Sequence, residues 1–224
     1  MKIGLQCYIF GCNYTTDMIN QFSNLKAIIF DLGGVIIDHE DRFTREAFAA
    51  LSNLTLQELI AVYGKEQFFE DYEVGAIDDA QFRANIREFL KIEVDDDSID
   101  GAWNAMLQGG IDADKFELLD QMANSYDLYV MSNTNSIHVR FFEKVAKHIS
   151  GRNFQDYFKK VYYSHNVGER KPNAGAWQVI IDEQGLEPNK TLFIDDKKEN
   201  TNAASQLGLQ VFQNTNPRDW MALF

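Results

Sequence analysis

The chain has 224 residues but only two cysteines, Cys7 and Cys12, both within the first dozen positions. No disulfide framework can brace the body of the fold, and the pattern fits a reducing, cytoplasmic setting. No apolar run is long enough to span a bilayer. Positive charge is scarce: 21 Lys and Arg stand against 34 Asp and Glu, a formal charge of −13. Such a surface repels phosphate backbones and anionic lipid, which argues against nucleic acid or a membrane as partner. An anionic small substrate would then need local positive charge, from a lysine, an arginine or a metal ion. Internal repeats and low-complexity tracts are absent as well.

The first 17 residues, MKIGLQCYIFGCNYTTD, loosely resemble a lipoprotein cleavage box at IFGC. Their basic region is a single lysine and their apolar region is very short. They read better as an upstream extension over residues 1–24, with Met18 as the working start and the fold beginning near Leu25.

What is present is a series of short apolar runs with the character of buried strands. These are AIIF before Asp31, LYVM before Ser132, KVYYS ending at Ser164, TLFI before Asp195, and LQVFQ near residue 211. Helical patterns lie between the later ones, at 135–148, 174–184 and 197–207, the last with Gly208 as its stop signal. Strands alternating with helices predict an α/β fold with a doubly wound parallel sheet. The stretch 39–110 differs. It holds no convincing strand and reads as helices over 42–51, 56–63, 66–72, 79–90 and 97–108, with Thr55 and Glu58 spaced as a capping box. A helical block between the first and second strands predicts an inserted domain at 39–110, with the core at 25–38 and 111–224.

In an open parallel sheet, ligands bind beyond the carboxyl ends of the strands, at the point where strand order reverses. Asp31, Ser132 and the pair Asp195-Asp196 each follow an apolar run and so fall on one rim. Lys171 precedes Pro172, which the sequence places in the first turn of a helix, within reach of the same rim. Each feature alone is ordinary: a strand-to-helix turn, a cap, a solvated lysine, an acidic N-cap. Their order and context make the set meaningful.

That order, FDLGGV, MSNTN, KP and FIDDKKEN, resembles the haloacid dehalogenase superfamily over roughly residues 27–209. The helical block resembles its cap. The resemblance implies a Rossmann-like core and a Mg²⁺-dependent phosphatase acting on a small phosphorylated metabolite, a sugar phosphate being favoured. Asp31 would attack phosphorus, Lys171 would neutralise charge, and Ser132 with backbone N–H groups near Leu32, Gly33 and Asn133 would hold phosphate oxygens. Mg²⁺ would be bound by Asp31, the Gly33 carbonyl and Asp196, with Asp195 as a further ligand or just behind. Asn200 is either a hydrogen-bonding partner of Lys171 or a neutral helix residue.

The sequence departs from the superfamily's usual phosphatase pattern at Gly33, where a second aspartate normally protonates the leaving oxygen. Some sugar-phosphate phosphatases of the superfamily resemble this chain in having a DLGxV motif. The missing acid could come from the helical block, from water or from the substrate; Asp38 and His39 are candidates, although a surface position is the more ordinary reading of His39. The other classes open to this chain are a dehalogenase proper, a phosphomutase, and a binding or regulatory protein that has kept the fold. The acidic pair at 195–196 argues against the first.

Overall fold

The structure is a computed structural model in which residues 22–224 are described. Cys7, Cys12, the IFGC stretch and Met18 lie outside the described residues. Five strands, β1 (Ala27–Phe30), β2 (Asp127–Ser132), β3 (Lys160–Tyr163), β4 (Thr191–Asp195) and β5 (Gln210–Gln213), make one sheet. Its order is β3-β2-β1-β4-β5 and every pair is parallel. The ten α-helices of the described residues are α1 (Asp41–Leu51), α2 (Leu56–Val62), α3 (Gln67–Glu73), α4 (Asp79–Leu90), α5 (Asp96–Asn104), α6 (Ala113–Met122), α7 (Ser136–Ser150), α8 (Ser164–Val167), α9 (Gly175–Gln184) and α10 (Lys198–Gln206).

The central strands are continuously apolar because both of their faces are covered. Alternation sends Ile28 and Phe30 into one layer, with Phe116 and Leu119 of α6 and Phe142 of α7. It sends Ala27 and Ile29 into the other, with Trp177 and Ile180 of α9 and Ala204 of α10. This is the doubly wound α/β sheet that the sequence predicts. Helix α6 falls in a stretch for which the sequence pattern predicts no element. Pro172 corrects another expectation: α9 begins only at Gly175, so Pro172 sits in the preceding turn, behind a cis peptide bond to Lys171.

The stretch between β1 and β2 is helical, with its own apolar cluster that includes Phe48, Leu59, Phe69, Phe82 and Trp103. The capping box of Thr55 and Glu58 is present, and Asp78 with Gln81 forms a second at the start of α4. Helix α5 stops at Asn104 and tightens into a 3₁₀ turn over Ala105–Leu107, earlier than the sequence pattern predicts. The two connections to the sheet run side by side. Asp38 pairs antiparallel with Gly110, and the Glu40 N–H donates to the Met106 carbonyl at 2.9 Å. Lys115, wholly buried, braces this neck by donating to Asp38 Oδ1 at 2.9 Å and to the Ile36 carbonyl at 3.1 Å. No described helix is long and apolar enough to cross a membrane.

Candidate active site

Because β1 lies between β2 and β4, their carboxyl ends bring Asp31, Ser132 and Asp195 together at one rim. Asp31 and Ser132 border a cavity of about 140 Å³, which Gly33, His39, Asn133, Lys171, Asp196 and Asn200 also line, while Asp195 is wholly buried behind it. The rim is the point at which the sheet reverses strand order, as the sequence predicts.

The centre of the site is the Lys171 ammonium. It is buried and lies 2.7 Å from Asp31 Oδ1 and 2.7 Å from Asp195 Oδ2. Burial opposes its charge, but Asp195 and Asp31 outweigh that and hold its pKa above the usual value. Two carboxylates around one ammonium leave one negative charge in excess. Burial and Asp195 push Asp31 up to about 7 against the pull of Lys171. The lysine backbone is clamped by the side chain of Asn133, which accepts from the Lys171 N–H at 2.9 Å and donates to its carbonyl at 2.8 Å.

Asp195 has no uncommitted oxygen. Besides Lys171, it accepts from the Lys197 N–H at 2.8 Å and from the Asn200 amide at 3.0 Å on each oxygen. Asn200 therefore bonds to Asp195 rather than to Lys171. Asp196 is the opposite case: its Oδ1 is buried with no hydrogen-bonding partner among the described residues. Burial and Asp195 both push the Asp196 carboxyl above its usual range. Asp31, Asp195 and Asp196 each place an oxygen within 4.8 Å of the others. An orphaned oxygen among three clustered carboxylates fits a hard divalent cation, with Asp196 the better ligand of the acidic pair. Gly34 makes the cluster possible. Its φ is +73°, and a Cβ there would lie 2.8 Å from Asp196 Oδ2.

The Leu32 N–H, expected to hold phosphate, donates to Asp31 Oδ1 at 2.6 Å instead. With the Asn133 side chain committed to Lys171, its backbone N–H is what it can offer an anion. Asp38 does not line the cavity and is paired with Lys115, which removes it as a candidate acid. His39 is not a surface residue by role. Its ring fills the space beside Gly33, where a Cβ on residue 33 would lie 3.3 Å from Nδ1, and Nδ1 is buried without a partner among the described residues.

Among the lining residues that the sequence does not single out are His138, Trp103 and Glu73. His138, in α7, is buried and stacks on Trp103 at 4.9 Å between ring centroids. Its Nδ1 lies 2.9 Å from Asn104 Oδ1, and an amide oxygen there requires Nδ1 to carry the proton. Burial, aided by the charge of His39, drops its pKa to about 3. Glu73, at the end of α3, completes this wall. Only the position of His138 near an N-cap asparagine hints at any of this in sequence.

A parallel sheet carrying an aspartate, a serine, a lysine and an acidic pair on one rim defines a haloacid dehalogenase-like fold. The chain matches the haloacid dehalogenase-like hydrolase family over residues 25–208 and belongs to it. It is 28% identical over 196 residues to D-ribitol-5-phosphate phosphatase of Bacteroides thetaiotaomicron, covering 88% of this chain and 95% of the relative. Among solved structures, it is similar to a family enzyme of the same organism bound to magnesium and inorganic phosphate. That likeness has 33% identity and a TM-score of 0.82, and covers 89% of this chain and 99% of the other. A hydrolase of Porphyromonas gingivalis is similar at 30% identity and a TM-score of 0.79, covering 89% and 95%.

The neutral state of His138 has a measurable consequence. A folded pKa below the unfolded value means that the unfolded chain binds the extra proton, so stability is lost as pH falls through about 6.5 toward 3. The loss reaches about 2 kcal/mol at pH 5. Urea unfolding of wild type and His138→Gln at pH 7 and pH 5 should show the variant gaining about 2 kcal/mol relative to wild type. Parallel pH profiles would show that His138 takes up its proton in the folded protein.

Proposed function

We propose that this chain is a Mg²⁺-dependent phosphatase acting on a small polyol or sugar phosphate, by way of an aspartyl-phosphate on Asp31. The observation that carries this reading is the buried Lys171 ammonium bridging Asp31 and Asp195, beside the orphaned oxygen of Asp196. The relative named for D-ribitol 5-phosphate supports the substrate class, and the relative seen with magnesium and phosphate supports the ion. We assign residues 39–110 as a cap over a core formed by 25–38 and 111–224, and the cytoplasm as the site of action.

Asp31 is ion-paired to Lys171 and accepts from the Leu32 N–H through Oδ1, so Oδ2 is the oxygen available for attack. Its lone pair forms a bond to phosphorus as the bond to the leaving oxygen breaks. Water then attacks phosphorus, releasing inorganic phosphate and restoring the carboxylate. Ser132 and the Asn133 N–H hold phosphate oxygens, and Lys171 offsets charge on the transferring group. Asp31, the Gly33 carbonyl and Asp196 are the groups that would hold Mg²⁺, which offsets the repulsion between carboxylate and phosphate. Asp195 orients Lys171. A dehalogenase proper would have no use for Asp196 as a ligand.

The leaving oxygen still needs a proton, and Gly33 cannot supply one. His39 takes that role: Nδ1 stands where a side chain on residue 33 would project, and Nε2 lies 3.9 Å from Asp41 Oδ1. The protonated ring gives its Nδ1 proton to the leaving alkoxide, and the neutral ring then accepts a proton from the attacking water.

Asp31→Asn should abolish hydrolysis while leaving the fold intact, and Asp196→Ala should raise the Mg²⁺ concentration needed. Both are read in a screen of phosphorylated metabolites with and without the ion. Turnover near the parent rate in Asp31→Asn, or full activity in excess chelator, would overturn the phosphatase assignment.

His39 is tested with a series of phosphomonoesters of graded leaving-group pKa. His39→Ala should lose roughly 10²–10⁴ in rate on primary alkyl phosphates and far less on aryl phosphates, which leave without a proton. An equal loss across the series would place the donor elsewhere.

A further inference from the structure

The cavity has two unlike ends. The sheet end carries Lys171, Ser132 and the carboxylates Asp31 and Asp196, and the helical end carries Glu73 and Trp103. Glu73 is the last residue of α3. Arg170 Nη2 pairs with its buried Oε2 at 2.9 Å, and that ion pair is the one polar contact of this oxygen among the described residues.

The position of Glu73 is tightly fixed. Arg170, next to Lys171 in the chain, reaches α3 twice, at Glu73 and at Glu70 Oε1, 2.7 Å from Nη1. Two residues beyond Glu73, Gly75 is pressed against the turn after β3. A Cβ there would lie 2.2 Å from the His165 carbonyl oxygen, and φ is +72°. The end of α3 is thus held at a set distance from the lysine that pairs with the nucleophile. Burial pushes the Glu73 carboxyl above its usual range, against the pull of Arg170 and Lys197.

A carboxylate oxygen can accept more than one hydrogen bond, so beside a single ion pair this buried oxygen keeps acceptor capacity that a donor in the cavity would use. Phosphate cannot, since at the pH of the reaction it offers chiefly acceptors. A carboxylate on the leaving group would add like charge beside it. A hydroxyl both fits and donates.

We propose that Glu73 is a specificity-determining residue that accepts a hydrogen bond from a hydroxyl of the leaving group, selecting neutral polyhydroxylated phosphomonoesters and rejecting carboxylated ones. The inference rests on the phosphatase reading and refines it. His138 supports the same end of the site, since its neutral ring adds no charge to that wall.

The test compares kcat and KM of wild type and Glu73→Gln, with Mg²⁺, on three substrates: a pentitol 5-phosphate, phosphoglycolate and para-nitrophenyl phosphate. Glu73→Gln should lose roughly 10- to 100-fold in kcat/KM on the pentitol phosphate, mostly through KM, the worth of one hydrogen bond to a charged group. It should gain about 10-fold or more on phosphoglycolate, as one like charge is removed, and keep parent activity on the aryl ester. An unchanged ratio among the substrates would overturn the role of Glu73 while leaving the phosphatase reading in place. Equal loss on all three would mark Glu73 as a structural partner of Arg170 and would also overturn it. A wild type inactive on every phosphomonoester would remove the phosphatase reading and this inference together.

Discussion

The ammonium of Lys171 lies 2.7 Å from Asp31 and 2.7 Å from Asp195, buried on all sides. Three charges taken out of water need this geometry to be kept, since losing one partner of a buried pair costs about 3–5 kcal/mol. The rest of the site is organised to keep it. Asn133, just beyond β2, clamps the lysine backbone, and Asn200 and the Lys197 N–H hold Asp195 at the end of β4. Asp31 follows β1, between them. The parallel register of three central strands is thereby converted into the position of one nucleophilic oxygen.

A strongly acidic protein meets a phosphorylated substrate with few positive groups at the cavity, chiefly the buried Lys171, the exposed Lys197 and the ion that the carboxylates can bind. The helical wall has the opposite task. It carries a carboxylate, an indole and a neutral imidazole rather than cations, so it contributes little to holding phosphate and much to choosing what the phosphate is attached to. Arg170 and Lys171 are consecutive residues, and one faces α3 while the other faces Asp31. Chemistry and selectivity therefore share one turn of chain.

The sheet was legible because buried parallel strands read as short apolar runs. The polar residue that ends each run then marks the rim, and Asp31, Ser132, Asp195 and Asp196 all follow from that one rule. The capping box at Thr55 was legible because it depends only on local spacing. Pro172 misled because a proline before a helix marks the first turn only when the helix starts there, and α9 starts at Gly175. Helix α6 was missed where a lysine occupies a buried position, since Lys115 reads as surface until Asp38 is seen beside it. His39 could be suspected and Glu73 could not. Where a histidine in a connecting segment points, and which helix end meets the cavity, are set by tertiary packing that leaves no periodic trace in sequence.

The central claim is that the Asp31 carboxylate becomes covalently phosphorylated. It is tested most directly by rapid acid quench of the protein during turnover of a phosphomonoester with Mg²⁺, followed by borohydride reduction and peptide mass analysis. An acyl phosphate is reduced where a free carboxylate is not, so the account predicts an alcohol at position 31 and unmodified carboxylates at Asp195 and Asp196. A turning-over protein with no reduced carboxyl, or with the reduced one elsewhere, would contradict it.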